Sequence, residues 1–383
     1  MILKPDQFIL SKLIPLPNMR KLFQKLFSKS VIRLANKYSS RPDARRVHEA
    51  LSALYHKIQK DPGKRGLQVD LQYTDKVIIF SDQHKGARNS SDDFAASETS
   101  YLAALKYYND QQYTYCNLGD SEELWKNQLF SVLKTNTATF EAEKCFIRRK
   151  AFIKIFGNHD LYWDNDPLAW FQLNRIYGER VKIYEGAIFK LSIANRQLSI
   201  FLTHGHQGDL QSDGNWFSKW FVSNVWAPLQ SYLKINPNTP AYDNQLKSAH
   251  NSIMYAWTAK QSNLALITGH THQPVFNSLT HLERVYLKLD DAKARGDAAT
   301  IQLLEAELLA GKITGETSPR IDNSKNTYFN AGCCCYSDGD ITGIEIAQGV
   351  IRLIKWKVRD NNPERVVLEE APLSTLLDSK KQI

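Results

Sequence analysis

Long apolar runs are what this 383-residue chain most clearly lacks. No stretch reaches the roughly 18 consecutive apolar residues of a membrane-spanning helix, and the opening residues hold no uninterrupted apolar region followed by a small-residue cleavage site. The expectation is a cytoplasmic protein. Cysteine is scarce: there are five, and three of them are adjacent, Cys333, Cys334 and Cys335. Neighbouring cysteines pair poorly with one another, so no disulfide framework is indicated. The triplet reads either as small, partly buried residues at a strand end or as a metal or redox site. Internal repeats and long low-complexity tracts are missing too, which excludes a solenoid.

What is present is ordinary in bulk, with 43% hydrophobic and 23% charged residues, so composition names no function. The charge is unevenly placed. The first fifty residues carry eleven Lys and Arg against three Asp and Glu, a net of +8, which leaves about +1 of the total +9 for the rest.

Short apolar runs ending in polar clusters alternate with segments of helical spacing, which points to an α/β fold. Strands are predicted at Lys76–Ser81, Tyr113–Leu118, Phe152–Phe156, Leu198–Thr203, Leu264–Thr268 and Thr327–Ala331. Hairpins are predicted from Val181 to Ala194 running into the strand at Leu198, and from Ile341 to Val358 with a turn near Gln348-Gly349. Around a core spanning 71–360, residues 1–70 read as a basic, mostly helical N-terminal extension, about 207–262 and 280–313 as insertions, and 361–383 as a C-terminal tail.

The first five predicted strands each run into metal-capable residues: Asp82 and His84; Asp120 and Glu123; Asn158, His159 and Asp160; His204 and His206; His270 and His272. Six of the ten histidines fall in these short clusters, far more than a random scatter would place there. Ligands gather at the carboxyl ends of strands in α/β sheets, where loops converge over a rigid scaffold. Carboxylate, amide oxygen and imidazole together suit divalent manganese, iron or zinc better than calcium or magnesium. Seven such ligands are too many for one ion. Two ions about 3.5–4 Å apart, bridged by a carboxylate and a hydroxide, would clamp the attacking and leaving oxygens of an in-line displacement.

In order, Ser81-Asp82-Gln83-His84, Gly119-Asp120-Ser121-Glu122-Glu123, Gly157-Asn158-His159-Asp160, Thr203-His204-Gly205-His206 and Gly269-His270-Thr271-His272 resemble the motif series of the calcineurin-like metallophosphoesterase superfamily. The series covers residues 76–275, and Asn330-Ala331-Gly332 resembles its closing strand. The resemblance implies a four-layer αββα sandwich with helical insertions and a helical N-terminal extension, and a phosphoesterase with two divalent cations, manganese first and iron or zinc next. It implies that Asp82, His84, Asp120 and His272 surround one ion and that Asp120, Asn158, His204 and His270 hold the other, with Asp120 bridging. A metal-bridging hydroxide would be the nucleophile, and His159, oriented by Asp160, would meet the phosphoryl oxygen or protonate the leaving group. Glu123, His206, Lys85 and Arg88 fall to supporting or substrate-contacting positions. Gly119, Gly157 and Gly269 each fit a backbone that must turn sharply at the ions.

The resemblance implies a phosphate-ester substrate, and two features bear on which one. Residues 19–38 read as a basic amphipathic helix, either packed on its own domain or lying on an anionic membrane surface at the periphery of an inner membrane. Trp216, Phe217, Trp220, Phe221, Val222, Val225 and Trp226 form an apolar run that suits a lid over an acyl chain, a membrane contact, or the core of an insertion. Asp120, Glu123 and Trp125 resemble the Gly-Asp-x-x-Glu-x-Trp pattern of UDP-2,3-diacylglucosamine pyrophosphohydrolases, which act on a lipid-linked nucleotide at the inner membrane. That family is shorter and lacks a histidine where His159 stands. Other readings are a nuclease of the double-strand-break-repair type, to which the basic positive charge outside the motifs lends little support, and a non-catalytic metal-binding scaffold, against which the retention of every ligand counts.

Overall fold

The computed structural model describes residues 42–89, 92–208, 244–276, isolated positions between 285 and 293, 295–313, 327–360 and 362–377. The basic segment at 19–38 and the aromatic run at 216–226 lie outside the described residues. So do 209–243 of the first insertion and much of 277–294 in the second. Among the described residues no helix is long and apolar enough to cross a membrane.

Two sheets face each other. The five-stranded sheet comprises β1 (Gly66–Leu71), β6 (Gly186–Ile193), β7 (Arg196–Thr203), β8 (Leu264–Thr268) and β9 (Tyr328–Asn330), in that spatial order. The seven-stranded sheet runs β12 (Asn362–Pro372), β11 (Val350–Arg359), β10 (Ile341–Ala347), β2 (Val77–Phe80), β3 (Thr114–Leu118), β4 (Phe152–Ile155) and β5 (Ile183–Tyr184). Side chains alternate along each strand. In β2, Val77 and Ile79 enter the core between the sheets, where they join Phe189 and Leu191 of β6 and Ile200 and Leu202 of β7. Ile78 and Phe80 point the other way, against Tyr101, Leu105 and Tyr108 of helix α2 (Glu98–Asp110). Such strands are buried on both faces, and for that reason they read as continuous apolar runs.

The outer face of the five-stranded sheet is covered by α1 (Ala44–Lys60) and α7 (Asn244–Thr258). In α1 the spacing Val47, Leu51, Leu54, Ile58 lays one apolar stripe on the sheet, and the Asp43 carboxylate accepts from Arg46 N at 2.9 Å to cap its first turn. The seven-stranded sheet is covered by α2 and by α4 (Thr137–Arg148), which is preceded by α3 (Leu129–Thr135). Beyond β4 lie the short α5 (Tyr162–Asn165) and then α6 (Ala169–Tyr177). The architecture is therefore helix, sheet, sheet, helix, a four-layer αββα sandwich.

All six predicted strands are present. The hairpins turn at Ala194-Asn195 and at Gln348-Gly349, all four residues with positive φ, as tight hairpin turns demand. Two strands were not expected. β1 lies in the segment read as a mostly helical extension and pairs in parallel with β6; β12 lies in the segment read as a tail and pairs antiparallel with β11. Both are sheet edges, and β12 carries two prolines and four charged residues, a composition that conceals an edge strand as irregular chain.

Candidate metal centre

Six loops leave the carboxyl ends of β2, β3, β4, β7, β8 and β9, and their backbones are stitched together. Asp82 N donates to Gly119 O, His84 N to Asp120 O, Gly269 N to His204 O, and Cys334 N to Asp82 O, at 2.9–3.1 Å. Five residues of these loops, Asp82, His84, Asp120, His270 and His272, hold positive φ between 50° and 70°, a region that side-chain-bearing residues rarely occupy. Strain of this kind clusters where the surroundings over-determine a functional geometry. The three glycines differ in their reasons. Gly119 turns with φ 96°, whereas Gly157 and Gly269 have no positive φ; a Cβ at Gly157 would strike the Asp120 carboxylate, and one at Gly269 would strike Ser81 and Asp82. For those two, the sharp turn expected from the sequence gives way to close approach.

The seven expected ligands converge on one pocket. His84 Nε2 lies 3.0 Å from His272 Nε2 and 3.8 Å from Asp120 Oδ2; His272 Nε2 lies 3.2 Å from Asp82 Oδ1. On the other side, His204 Nε2 lies 3.2 Å from Asp120 Oδ2, and Asn158 Oδ1 lies 3.0 Å from His270 Nδ1. Among the described residues three overlapping groups offer donor atoms within 4.8 Å of one another: His84, His272 and Cys335; His84, Asp120 and His159; Asp120, His204 and His270. Asp82 Oδ1, His204 Nε2 and His270 Nε2 are buried and make no hydrogen bond. Buried polar atoms are almost always hydrogen-bonded, so lone pairs left over at a single point fit a cation. The mixture of carboxylate, imidazole and amide oxygen fits a divalent one. His204 Nδ1 faces Leu118 O at 2.9 Å, which fixes its ring with Nε2 towards Asp120.

Electrostatics tells the same story. Burial opposes the charged imidazole of His204, but Asp120 and Asp82 outweigh it and raise the pKa to about 9; for His272, Asp82 does the same, again to about 9. Despite their burial, Asp82 is held well below the usual carboxylate range by His204 and His272, and Asp120 by His204 and His159. His270 is pushed down by burial and by His204 and His250, so its lone pair stays available.

His159 is clamped at the pocket's edge. Its Nδ1 donates to Glu123 Oε2 at 2.8 Å and its ring stacks on Trp125 at 4.2 Å. Here the structure corrects an expectation: Asp160 does not touch His159. Both of its oxygens are taken by backbone, Oδ1 by Gly157 N at 2.5 Å and Oδ2 by Ser121 N at 2.9 Å, and it is wholly buried. Asp160 therefore ties two loops together, and burial beside Asp120 and Glu122 moves its carboxyl up to about 7. Glu123 is the carboxylate that orients His159. His206 is buried with its ring 5.5 Å from that of His204 and 6.1 Å from Phe156, outside the three donor groups. Arg88 pairs with Glu98 at 2.7 Å.

Lys85 is entirely buried beneath the pocket. Its Nζ meets Glu143 at 2.7 Å and Glu122 at 3.3 Å; Lys154 meets Glu122 at 2.9 Å. Trp163 donates to Glu122, and Tyr101 and Tyr177 donate to Glu143, at 2.7–3.2 Å. Burial raises the Glu122 carboxyl, but Lys154 and Lys85 outweigh it and bring it down to about 2. Sequence reasoning missed Glu143 and Lys154. It also missed His250 and Asn251 on α7, which meet Gly205 O at 2.9 Å and Gln273 Oε1 at 3.1 Å and so brace the loops after β7 and β8. No local pattern announced them.

The model of the calcineurin-like phosphoesterase family matches residues 75–274. Among solved structures, vacuolar protein sorting 29 from Cryptosporidium parvum is similar at 12% identity over 78% of this chain and 98% of its own, with a TM-score of 0.30. Wild-type Vps29 complexed with zinc, from Entamoeba histolytica, is similar at 14% identity over 77% and 99%, with a TM-score of 0.26. Superpositions this loose carry no weight for function. No curated protein matches.

Proposed function

Because the chain belongs to the calcineurin-like phosphoesterase family, whose match spans just over half of it, we propose that it hydrolyses a phosphate ester or pyrophosphate bond with two divalent cations bound in this pocket. The observation that carries the reading is the gathering, around Asp120, of buried donor atoms on Asp82, His204 and His270 that no hydrogen bond uses. Asp82, His84, Asp120 and His272 would hold one ion, and Asp120, Asn158, His204 and His270 the other. Bound manganese, iron or zinc would polarise a phosphoryl oxygen and bring a water's pKa near neutrality.

The protein's own contribution centres on His159. Glu123 accepts the hydrogen on Nδ1, so that in the doubly protonated ring Nε2–H would contact a phosphoryl oxygen or pass its proton to the leaving oxygen as the bond to phosphorus breaks, leaving the neutral imidazole held at Nδ1. Trp125 keeps the ring from turning. A lipid-linked nucleotide is favoured as one substrate class by a run of exposed apolar side chains at the start of α6: Leu168, Trp170 and Phe171 are each more than half exposed, and the two rings touch.

Loaded with manganese or zinc, the wild-type chain is expected to turn over at least one of bis-p-nitrophenyl phosphate, p-nitrophenyl phosphate and a nucleotide-diphosphate lipid. Asp120→Asn should abolish turnover and lower ion content. His159→Ala should keep its ions and lose about a hundredfold or more in kcat. A metal-loaded wild type that cleaves none of the three would overturn the reading.

A further inference from the structure

The loop after β9 returns three cysteines to the pocket. Cys334 is pinned behind it, with its N–H on Asp82 O and its Sγ 3.9 Å from Thr342 O, while Tyr336 OH donates to His272 O at 3.0 Å. Cys335 is the partly exposed member, and its Sγ lies 3.7 Å from His272 Nδ1. His84, His272 and Cys335 each bring a donor atom within 4.8 Å of the others. Beside them, the wholly buried Asp82 Oδ1 lies 3.2 Å from His272 Nε2 and makes no hydrogen bond. In a tetrahedral site with metal–nitrogen bonds of about 2.0–2.1 Å and a metal–sulfur bond of about 2.3 Å, nitrogen and sulfur stand about 3.5 Å apart, inside the 4.8 Å span of these three donor atoms.

We propose that Cys335 is a thiolate ligand at the ion position shared by His84, His272 and Asp82, and that this soft donor makes the position prefer zinc or ferrous iron to manganese. The proposal rests on the two-ion reading above. Thiolate favours zinc and iron, whereas an all-oxygen and imidazole set leaves manganese competitive.

Cobalt(II) added to the reduced, full chain tests it without reference to activity. Wild type is expected to show visible ligand-field bands together with an intense sulfur-to-cobalt charge-transfer band in the near ultraviolet. Cys335→Ser should lose the charge-transfer band and keep the ligand-field bands; Cys334→Ser should keep both. In chelator competition Cys335→Ser should weaken zinc by at least about tenfold, the loss found even for partners one shell further out, while manganese stays within about twofold. Should the serine variant fail to fold, X-ray absorption at the zinc edge of wild type must show a sulfur at about 2.3 Å. Cobalt bound without the charge-transfer band would make the sulfur a hydrogen-bond partner of His272 Nδ1 and sink the ligand assignment while leaving the two-ion reading intact. A band that follows Cys333 instead would also overturn it. A wild type that binds no cobalt, zinc or manganese would remove the two-ion reading along with it.

Discussion

Two buried polar clusters sit one above the other at the carboxyl ends of β2, β3 and β4, and they are built on opposite terms. In the lower one Lys85, Lys154, Glu122 and Glu143 balance in charge, and each is met by an ion-pair partner, with tryptophan and tyrosine donors filling the remaining carboxylate valences. In the upper one carboxylates and imidazoles crowd together with donor atoms left over on Asp82, His204 and His270. Consecutive residues serve different clusters: His84 faces up and Lys85 down, Glu123 up and Glu122 down. Burial of polar groups is common to both, so it does not distinguish a support from a site. Satisfaction does. A complete cluster holds the fold because breaking it strands a buried charge, and an incomplete one has room for a ligand.

The sharpest way to break this comparison is to remove one charge from each cluster with the same carboxylate-to-amide change. Glu122→Gln leaves Lys154 and Lys85 buried with one carboxylate between them and should cost about 3–5 kcal/mol in denaturant unfolding. Asp120→Asn in chelated protein should cost less than half as much, because its cluster was never complete. Equal losses would mean that the upper cluster is as self-sufficient as the lower. The next effect is that of the ions themselves. A divalent cation at a hundred times its Kd should stabilise wild type by about 2.7 kcal/mol, leave Asp120→Asn almost unmoved, and add to Glu122→Gln as it does to wild type, all read as shifts in unfolding.

The upper cluster was legible in the sequence because its members fall immediately after apolar strands, where a run of histidines and carboxylates stands out. The lower one was not. Lys154 sits inside the apolar strand Phe152–Ile155, and Glu143 lies on a helix 58 residues from Lys85, so no spacing joins them. The same limit explains the exchange of roles between Asp160 and Glu123: Asp160 is next to His159 in sequence, but the fold turns it onto the Gly157 and Ser121 amides and brings Glu123 across from 36 residues away. Cys335 and His272, 63 residues apart, are a third case, and the left-handed backbone at Asp82, His84 and Asp120 has no residue-type signal of its own. Sequence shows which groups gather at strand ends; only the fold shows which way each one faces.

The lower cluster also predicts a limit at alkaline pH. Burial raises the phenols of Tyr101, of Tyr115, whose hydroxyl meets that of Tyr101 at 2.7 Å, and of Tyr177 well above 10, with the Glu143 carboxylate adding to it. A group whose folded pKa is raised contributes stability that is fully present below its unfolded pKa, here about 10, and lost as pH climbs through the folded one. Stability should therefore fall above pH 10 by up to about 1.4 kcal/mol per pH unit for each phenol that ionises only on unfolding. Tyr177→Phe should shallow that slope, measured by unfolding at stepped pH; an unchanged slope would place the alkaline loss elsewhere.

The smallest effect tests the boundary of the upper cluster. Trp125 touches His159 by stacking and belongs to no donor group, so Trp125→Leu should leave ion content and unfolding almost unchanged. It should nonetheless lower kcat severalfold, because His159 would then be held by Glu123 alone and could swing about the Nδ1 hydrogen bond. A fall in KM-normalised turnover that came with lost metal would show instead that Trp125 is part of the scaffold beneath the ions, and the division between a satisfied support and an unsatisfied site would have to be drawn further out.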